Sequence, residues 1–244
     1  MLEQLREEVL EANLEVVRRG LVLYTFGNVS GISREEALVV IKPSGVPYEK
    51  MKPSDLVVVN VDGKAIEGTL RPSSDLPIHL ILYRAFPQIG GIVHTHSRAA
   101  TAWAQARQPI PCFGTTHADY FYGPIPVTDP LTPAEIEGDY ESNTGHAIVR
   151  TISELDPLQM RAVLVSNHAP FTWGKTPAEA AQLAVILEEV AALALQTVTI
   201  NATAKPIHPS LLDKHFLRKH GADAYYGQPS SVMCLPLARL KKAF

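Results

Sequence analysis

Over the first twenty residues the apolar positions recur at intervals of three and four, at Leu2, Leu5, Val9, Ala12 and Val16. That spacing gathers them on one stripe of a helix, with charged side chains opposite and Gly20 to end it. Beyond it the period shortens. Residues 21–26, 37–41 and 56–60 read as strands, and Asp62-Gly63 followed by 64–67 predicts a hairpin. Ser73-Ser74-Asp75 predicts the cap of a helix reaching about Phe86, just before Pro87. A strand is expected over 89–96 and a helix over 99–106, with further β-like runs at 110–113, 121–127 and 162–166.

Two helix starts are written plainly. Thr132-Pro133-Ala134-Glu135 and Thr176-Pro177-Ala178-Glu179 each combine a capping residue, Pro at the first helical position and Glu three residues after the cap. The second opens a long Ala/Leu-rich helix to about Thr197, apolar almost all round, as a helix buried in a core or at a subunit contact would be. A last helix over 211–220 ends in Arg218, Lys219 and His220 before Gly221. No repeat or composition break interrupts 1–228, so one domain is expected there, followed by an extension at 229–244 that ends in a basic tail. Strands joined by turns alternate with strands joined by helices. A mixed, largely antiparallel sheet with helices on both faces follows.

Composition narrows the function. With 46% hydrophobic residues in 244, the chain can bury a sizeable core, and its net charge of −3 carries no general attraction to nucleic acid or anionic membrane. Cys112 and Cys234 stand far apart without a CxxC, which excludes a disulfide framework and a thiolate zinc site. The acidic, amphipathic N-terminus is unlike a signal peptide, and no apolar stretch is expected to span a bilayer. A cytoplasmic globular protein is expected.

The chemistry concentrates at Gly90-Gly91-Ile92-Val93-His94-Thr95-His96-Ser97. Alternate residues of a strand face one way, so His94 and His96 would project together and could grip one metal ion; one capping a loop and the other solvated is the alternative. His168 ends a similar apolar run, and three imidazoles leave a coordination position open, the catalytic pattern. Asp75 is the best fourth member, as ligand, as base beside the metal, or simply as a partner of its helix dipole. Gly27-Asn28, Lys42-Pro43-Ser44-Gly45 and Arg71-Pro72-Ser73-Ser74 are turns rich in hydroxyls and backbone N–H groups; converging, they would cradle a phosphate. In 115–123, polar groups among aromatics suggest a pocket wall, with Asp119 either an acid/base group or a loop cap, and His117 a supporting partner. His79, in mid-helix, reads as packing.

Taken together these segments resemble the L-ribulose-5-phosphate 4-epimerases of the class II aldolase/adducin-head superfamily. The matching pieces are Thr25-Phe26-Gly27-Asn28-Val29-Ser30, Lys42-Pro43-Ser44-Gly45-Val46, Pro72-Ser73-Ser74-Asp75, the His94/His96 segment, 115–123, and 213–221 running on to Tyr225-Tyr226-Gly227-Gln228. Phe26 stands where Trp is common, and Asn167-His168-Ala169-Pro170 where Ser-His-Gly-Pro is common. The resemblance implies a three-layer α/β/α fold and a fourfold-symmetric homotetramer whose active sites lie at subunit interfaces. It makes Asp75, His94, His96 and His168 the metal group, holding zinc or another divalent ion such as manganese. Gly27, Asn28, Ser44, Gly45, Ser73 and Ser74 become phosphate contacts of a sugar phosphate, and Asp119 and Tyr226 the acid/base pair. The reaction it implies is retro-aldol cleavage of C3–C4 and re-addition to the opposite carbonyl face, with a divalent metal stabilising the enediolate. A class II aldolase of the fuculose- or rhamnulose-phosphate type and a metal-free adducin-head-like scaffold are the competing readings.

Overall fold

The computed structural model describes residues 2–227, so the extension at 229–244 and Gln228 lie outside the described residues. Seven strands form one sheet: β1 Asn28–Ser33, β2 Leu38–Ile41, β3 Val57–Asn60, β4 Ala65–Glu67, β5 Gly91–His94, β6 Ala162–Leu164 and β7 Pro170–Gly174. Their order across the sheet is β4-β3-β2-β1-β5-β7-β6. Among the described residues every strand pairing is antiparallel, and the expected mixed character reduces to one isolated parallel bridge between Val127 and Leu164.

The period of two along each strand divides the core between two faces. Val39, Ile41, Val57, Val59 and Ile92 point to the side covered by α2 (Leu76–Ala85), which in turn packs on α6 (Tyr140–Ile152). Val40 and Val58, with Val29 and Val93, point to the side covered by α1 (Glu3–Arg18) and α7 (Pro177–Ile200). The three layers expected from the resemblance are present. The described residues also form α3 (Arg98–Ala106), α4 (Thr115–Ala118), α5 (Pro133–Glu137) and α8 (Pro209–His220).

Four departures from the sequence expectation have physical causes. Residues 21–26 form a loop with Tyr24 at φ 53°, and the strand begins only at Asn28. That strand, Asn-Val-Ser-Gly-Ile-Ser, hides its period because helices cover both faces, and its polar groups are satisfied inside: Val29 N–H donates to Asn13 of α1, and the Ser30 hydroxyl bonds His79 and Tyr83 of α2. Gly31 is required there, since a Cβ would stand 2.8 Å from Leu5, Val9 and Pro177. The runs at 110–113 and 121–127 contribute only single bridges, Ile110 to Ile125 and Val127 to Leu164. β7 and α6 carry no expectation at all: Pro170 opens the one, and the other, capped by Asp139, begins with the polar run Tyr140-Glu141-Ser142-Asn143-Thr144. Finally, α7 is, by length and composition, apolar enough to cross a membrane, contrary to the expectation that no stretch would be. Here its buried side is docked on β5, β7, α1 and α3.

Candidate metal centre and phosphate pocket

His94 is the last residue of β5, and its direction is set twice. The strand register places it opposite Phe171, whose ring stacks on the imidazole at 4.3 Å, and its Nδ1–H donates to the carbonyl of Pro170 at 3.0 Å. That bond leaves the Nε2 lone pair facing outward. His96, two residues on, returns to the same side, with its Nε2 3.1 Å from that of His94. His168 arrives from the turn between β6 and β7, where Asn167 adopts φ 59°, and its ring centroid lies 4.9 Å from His94 and 5.0 Å from His96. One nitrogen from each ring falls within 4.8 Å of the others. Three nitrogens at that spacing suit a divalent metal with an open position.

The electrostatics agree with that use. Burial pushes His94 down to about 4, and pushes His96 and His168 down as well, so all three are neutral and carry free lone pairs at pH 7. Asp75 lies behind them, its Oδ2 4.0 Å from His94 Nε2. Although it is the N-cap residue of α2, its side chain makes no cap bond; it accepts instead from Asn28 Nδ2 at 2.6 Å. Burial disfavours its charge, yet the neighbouring His94 and His79 and the Asn28 amide hold it below the ordinary carboxylate value. Asp75 therefore joins the histidine group as a carboxylate beside the triad. His79, buried with its Nδ1 bonded to Ser30, is a packing residue as expected.

The three turns do converge. Pro43 and Pro72 form a bridge, Ser44 N–H donates to the Arg71 carbonyl, and Ser73 N–H donates to that of Lys42. With Gly27, Asn28, Gly45 and Ser74 they line, together with the metal group, a pocket of about 450 Å³. Gly27 has φ 74°, and a Cβ there would stand 2.7 Å from the His94 carbonyl, so glycine lets this turn approach the metal strand. Lys42 supplies the cation. Sequence reasoning missed two lining residues, Tyr140 and Glu141, at the start of α6; the Tyr140 hydroxyl lies 3.5 Å from His168 Nδ1. Asp139 as the cap of α6 was the available signal. A larger cleft of about 1010 Å³, between α1 and α7, contains none of these residues.

Asp119 and Tyr226 do not line the metal pocket of their own chain. They sit together elsewhere, gathered by α8. Asp119 follows α4 and receives Arg218 Nη2 at 2.9 and 3.0 Å, His215 Nδ1 at 3.0 Å and Lys219 Nζ at 3.3 Å. The Arg218 guanidinium and the Lys219 ammonium lie 4.9 and 4.4 Å from the centre of the Tyr226 ring. Burial acts to raise the Asp119 pKa, but hydrogen bonds from His215, Arg218 and Lys219 win and hold it ionised. Tyr226 is 59% exposed. His117 turns inward and bonds the Gly123 carbonyl at 2.8 Å, a structural contact within the 115–123 segment.

A three-layer fold with three imidazoles gathered beside the end of β5 and a turn-built pocket next to them defines a class. The chain belongs to the class II aldolase and adducin N-terminal domain family, whose model matches residues 7–195. Within that class it is similar to the L-ribulose-5-phosphate 4-epimerase UlaF of Salmonella paratyphi B, at 53% identity over 227 residues, 93% of this chain and 100% of the relative. Among solved structures, an L-fuculose 1-phosphate aldolase superposes with TM-score 0.74 at 25% identity, covering 87% of this chain and 94% of its own. The L-fuculose-1-phosphate aldolase of Thermus thermophilus shares the fold, with TM-score 0.66 at 23% identity over 83% of this chain and 100% of its own.

Proposed function

We infer that the chain is an L-ribulose-5-phosphate 4-epimerase, interconverting L-ribulose 5-phosphate and D-xylulose 5-phosphate. The observation that carries the reading is one pocket that joins three neutral imidazoles and a carboxylate to a cationic, turn-built phosphate cradle, in a chain so similar to a curated 4-epimerase.

The chemistry follows from where the acidic proton is. In a 2-ketopentose phosphate, C4 is β to the carbonyl, so removing its hydrogen is a poor route to inversion. Deprotonating the C4 hydroxyl and breaking C3–C4 is easier, because the C2 carbonyl takes up the electron pair as an enediolate and glycolaldehyde phosphate leaves. When bound by His94, His96 and His168 with Asp75 alongside, a divalent cation, zinc in our proposal, supplies Lewis-acid stabilisation of that negative charge. Gly27, Asn28, Ser44, Gly45, Ser73 and Ser74, with Lys42, hold the phosphate while the aldehyde turns over its carbonyl face. Asp119 and Tyr226 then take and return the C4 hydroxyl proton from opposite faces. A homotetramer with sites at subunit interfaces is part of the proposal, supported by Asp119 and Tyr226 clustering outside their own chain's pocket. A single catalytic unit over 1–228, followed by the extension at 229–244, belongs to it too. So does a cytoplasmic location, supported by a phosphorylated substrate and the buried free thiol of Cys112.

The test is conversion of L-ribulose 5-phosphate by the full chain after loading with zinc. D-Xylulose 5-phosphate without free dihydroxyacetone is the expected product. Stoichiometric dihydroxyacetone would make the enzyme an aldolase.

A further inference from the structure

The structure assigns a positioning role to Glu188, on α7 and outside the pocket lining: it sets the separation of His96 from His168. The assignment rests on the reading of the three histidines as metal ligands.

His94 is held by its strand, but His96 and His168 are not on strands. His96 is exposed and lies just beyond β5, separated from α3 only by Ser97. Where α3 starts therefore decides where His96 points. Ser97, the N-cap residue, makes no side-chain cap bond. The first turn of α3 is instead closed by a side chain from another helix, with Glu188 Oε1 accepting from Ala99 N–H at 2.8 Å and Oε2 from Ala100 N–H at 3.0 Å. A carboxylate giving one oxygen to each of two helix-terminal N–H groups makes charge-assisted bonds and meets the positive end of the helix.

The other end of α3 reaches the second half of the site. The Ala104 carbonyl accepts from Asn167 N–H at 3.0 Å, and Asn167 immediately precedes His168. Between these ends, Trp103 Nε1 donates to the Ala191 carbonyl at 3.0 Å, a second tie from α3 to α7 and one turn beyond Glu188. α3 is thus a strut with one metal loop at each end, and α7 is the beam to which it is fastened. Without Glu188 the beginning of the strut has only Ser97 to close it, and the nitrogen of His96 is no longer held within 4.8 Å of the others. Glu188 touches no ligand and no substrate, so its effect is on metal geometry.

The experiment uses the full chain stripped of metal and titrated with Co2+ alone, read by its visible absorption. Amide hydrogen exchange at Ala99 and Ala100 is followed in the metal-free protein. Glu188→Ala is expected to weaken Co2+ binding about tenfold and Glu188→Gln, which keeps one acceptor oxygen, about threefold, with faster exchange at both amides in the same order. Ile152→Ala, at the far end of α6, is the control for a general loss of stability and is expected to leave Co2+ affinity unchanged. Wild-type Co2+ affinity in Glu188→Ala would overturn the assignment, as would an equal loss of affinity in Ile152→Ala. If Glu188→Ala does not fold, Glu188→Gln decides alone, and undiminished affinity with accelerated exchange overturns the assignment. A wild-type chain that takes up no Co2+ would instead remove the metal reading on which the assignment rests.

Discussion

Replacing Lys42 by methionine perturbs the proposed phosphate pocket at its buried cation. Lys42 is 2% exposed, and its ammonium is surrounded by the carbonyls of Thr25 and Pro43, each at 3.3 Å, and the ring of Tyr48 at 4.6 Å. No carboxylate lies within ion-pair distance of it among the described residues. Burial lowers its pKa from 10.5 to about 8. At 1.36 kcal/mol per pH unit, charging Lys42 in the absence of phosphate costs at most about 3 kcal/mol of stability. The cost is full below about pH 8, where the folded and unfolded chains both carry the proton. Between about pH 8 and 10.5 the unfolded chain binds a proton that the folded chain does not, so stability rises with pH and the cost disappears. Urea unfolding of the metal-free chain across that range is the assay. Without phosphate at pH 7, Lys42→Met is expected to be the more stable protein by roughly 2 kcal/mol. The gap should close as pH rises through the window, and inorganic phosphate at pH 7 should stabilise the wild type more than the variant. A gap that is constant with pH, or equal stabilisation of both proteins by phosphate, would refute a buried ammonium reserved for the phosphate.

His96→Ala removes one of three nitrogens, so bound metal measured by atomic absorption should be lost and epimerase turnover should fall at least about 100-fold. Asp119→Asn is expected to keep its metal while turnover falls about 10²–10⁴-fold, the range for losing a general acid/base; full turnover in Tyr226→Phe would remove that residue from the pair. In a mixture of inactive His96→Ala and inactive Asp119→Asn chains, partial recovery of activity is expected if each pocket is completed by another subunit, and no recovery if it is not. Asn13→Ala should cost about 2 kcal/mol in urea unfolding, because the Val29 N–H of the central strand loses its partner at 3.0 Å while the Val29 carbonyl, which Asn13 also meets at 3.2 Å, keeps the Lys42 N–H.

Local spacing carried the parts of this protein that depend only on neighbours in the chain. The stripe of α1, the capping residues Thr132 and Thr176, the hairpin after Asn60 and a strand within 89–96, shorter in the structure at Gly91–His94, were all legible, because periodicity and caps are properties of contiguous residues. The pair His94 and His96 was legible as candidate metal residues from their i, i+2 spacing, although β5 stops at His94 and His96 lies just beyond it. β1 was not legible. Its Asn, Ser and Gly look like a loop until Asn13, His79 and Tyr83 arrive from other elements to satisfy or crowd them.

Only tertiary structure could decide how distant segments meet. Asp75 changed from a helix cap into the carboxylate behind the triad because β1 brings the Asn28 amide 2.6 Å from it. Tyr140 entered the pocket because α6 packs on α2, a contact with no trace in local period. Asp119 and Tyr226 came together, and away from their own chain's metal group, because Arg218 and Lys219 stand between them on one turn of α8. The sequence by itself determined which atoms could do the chemistry. Their distances and charge states arise from packing and desolvation.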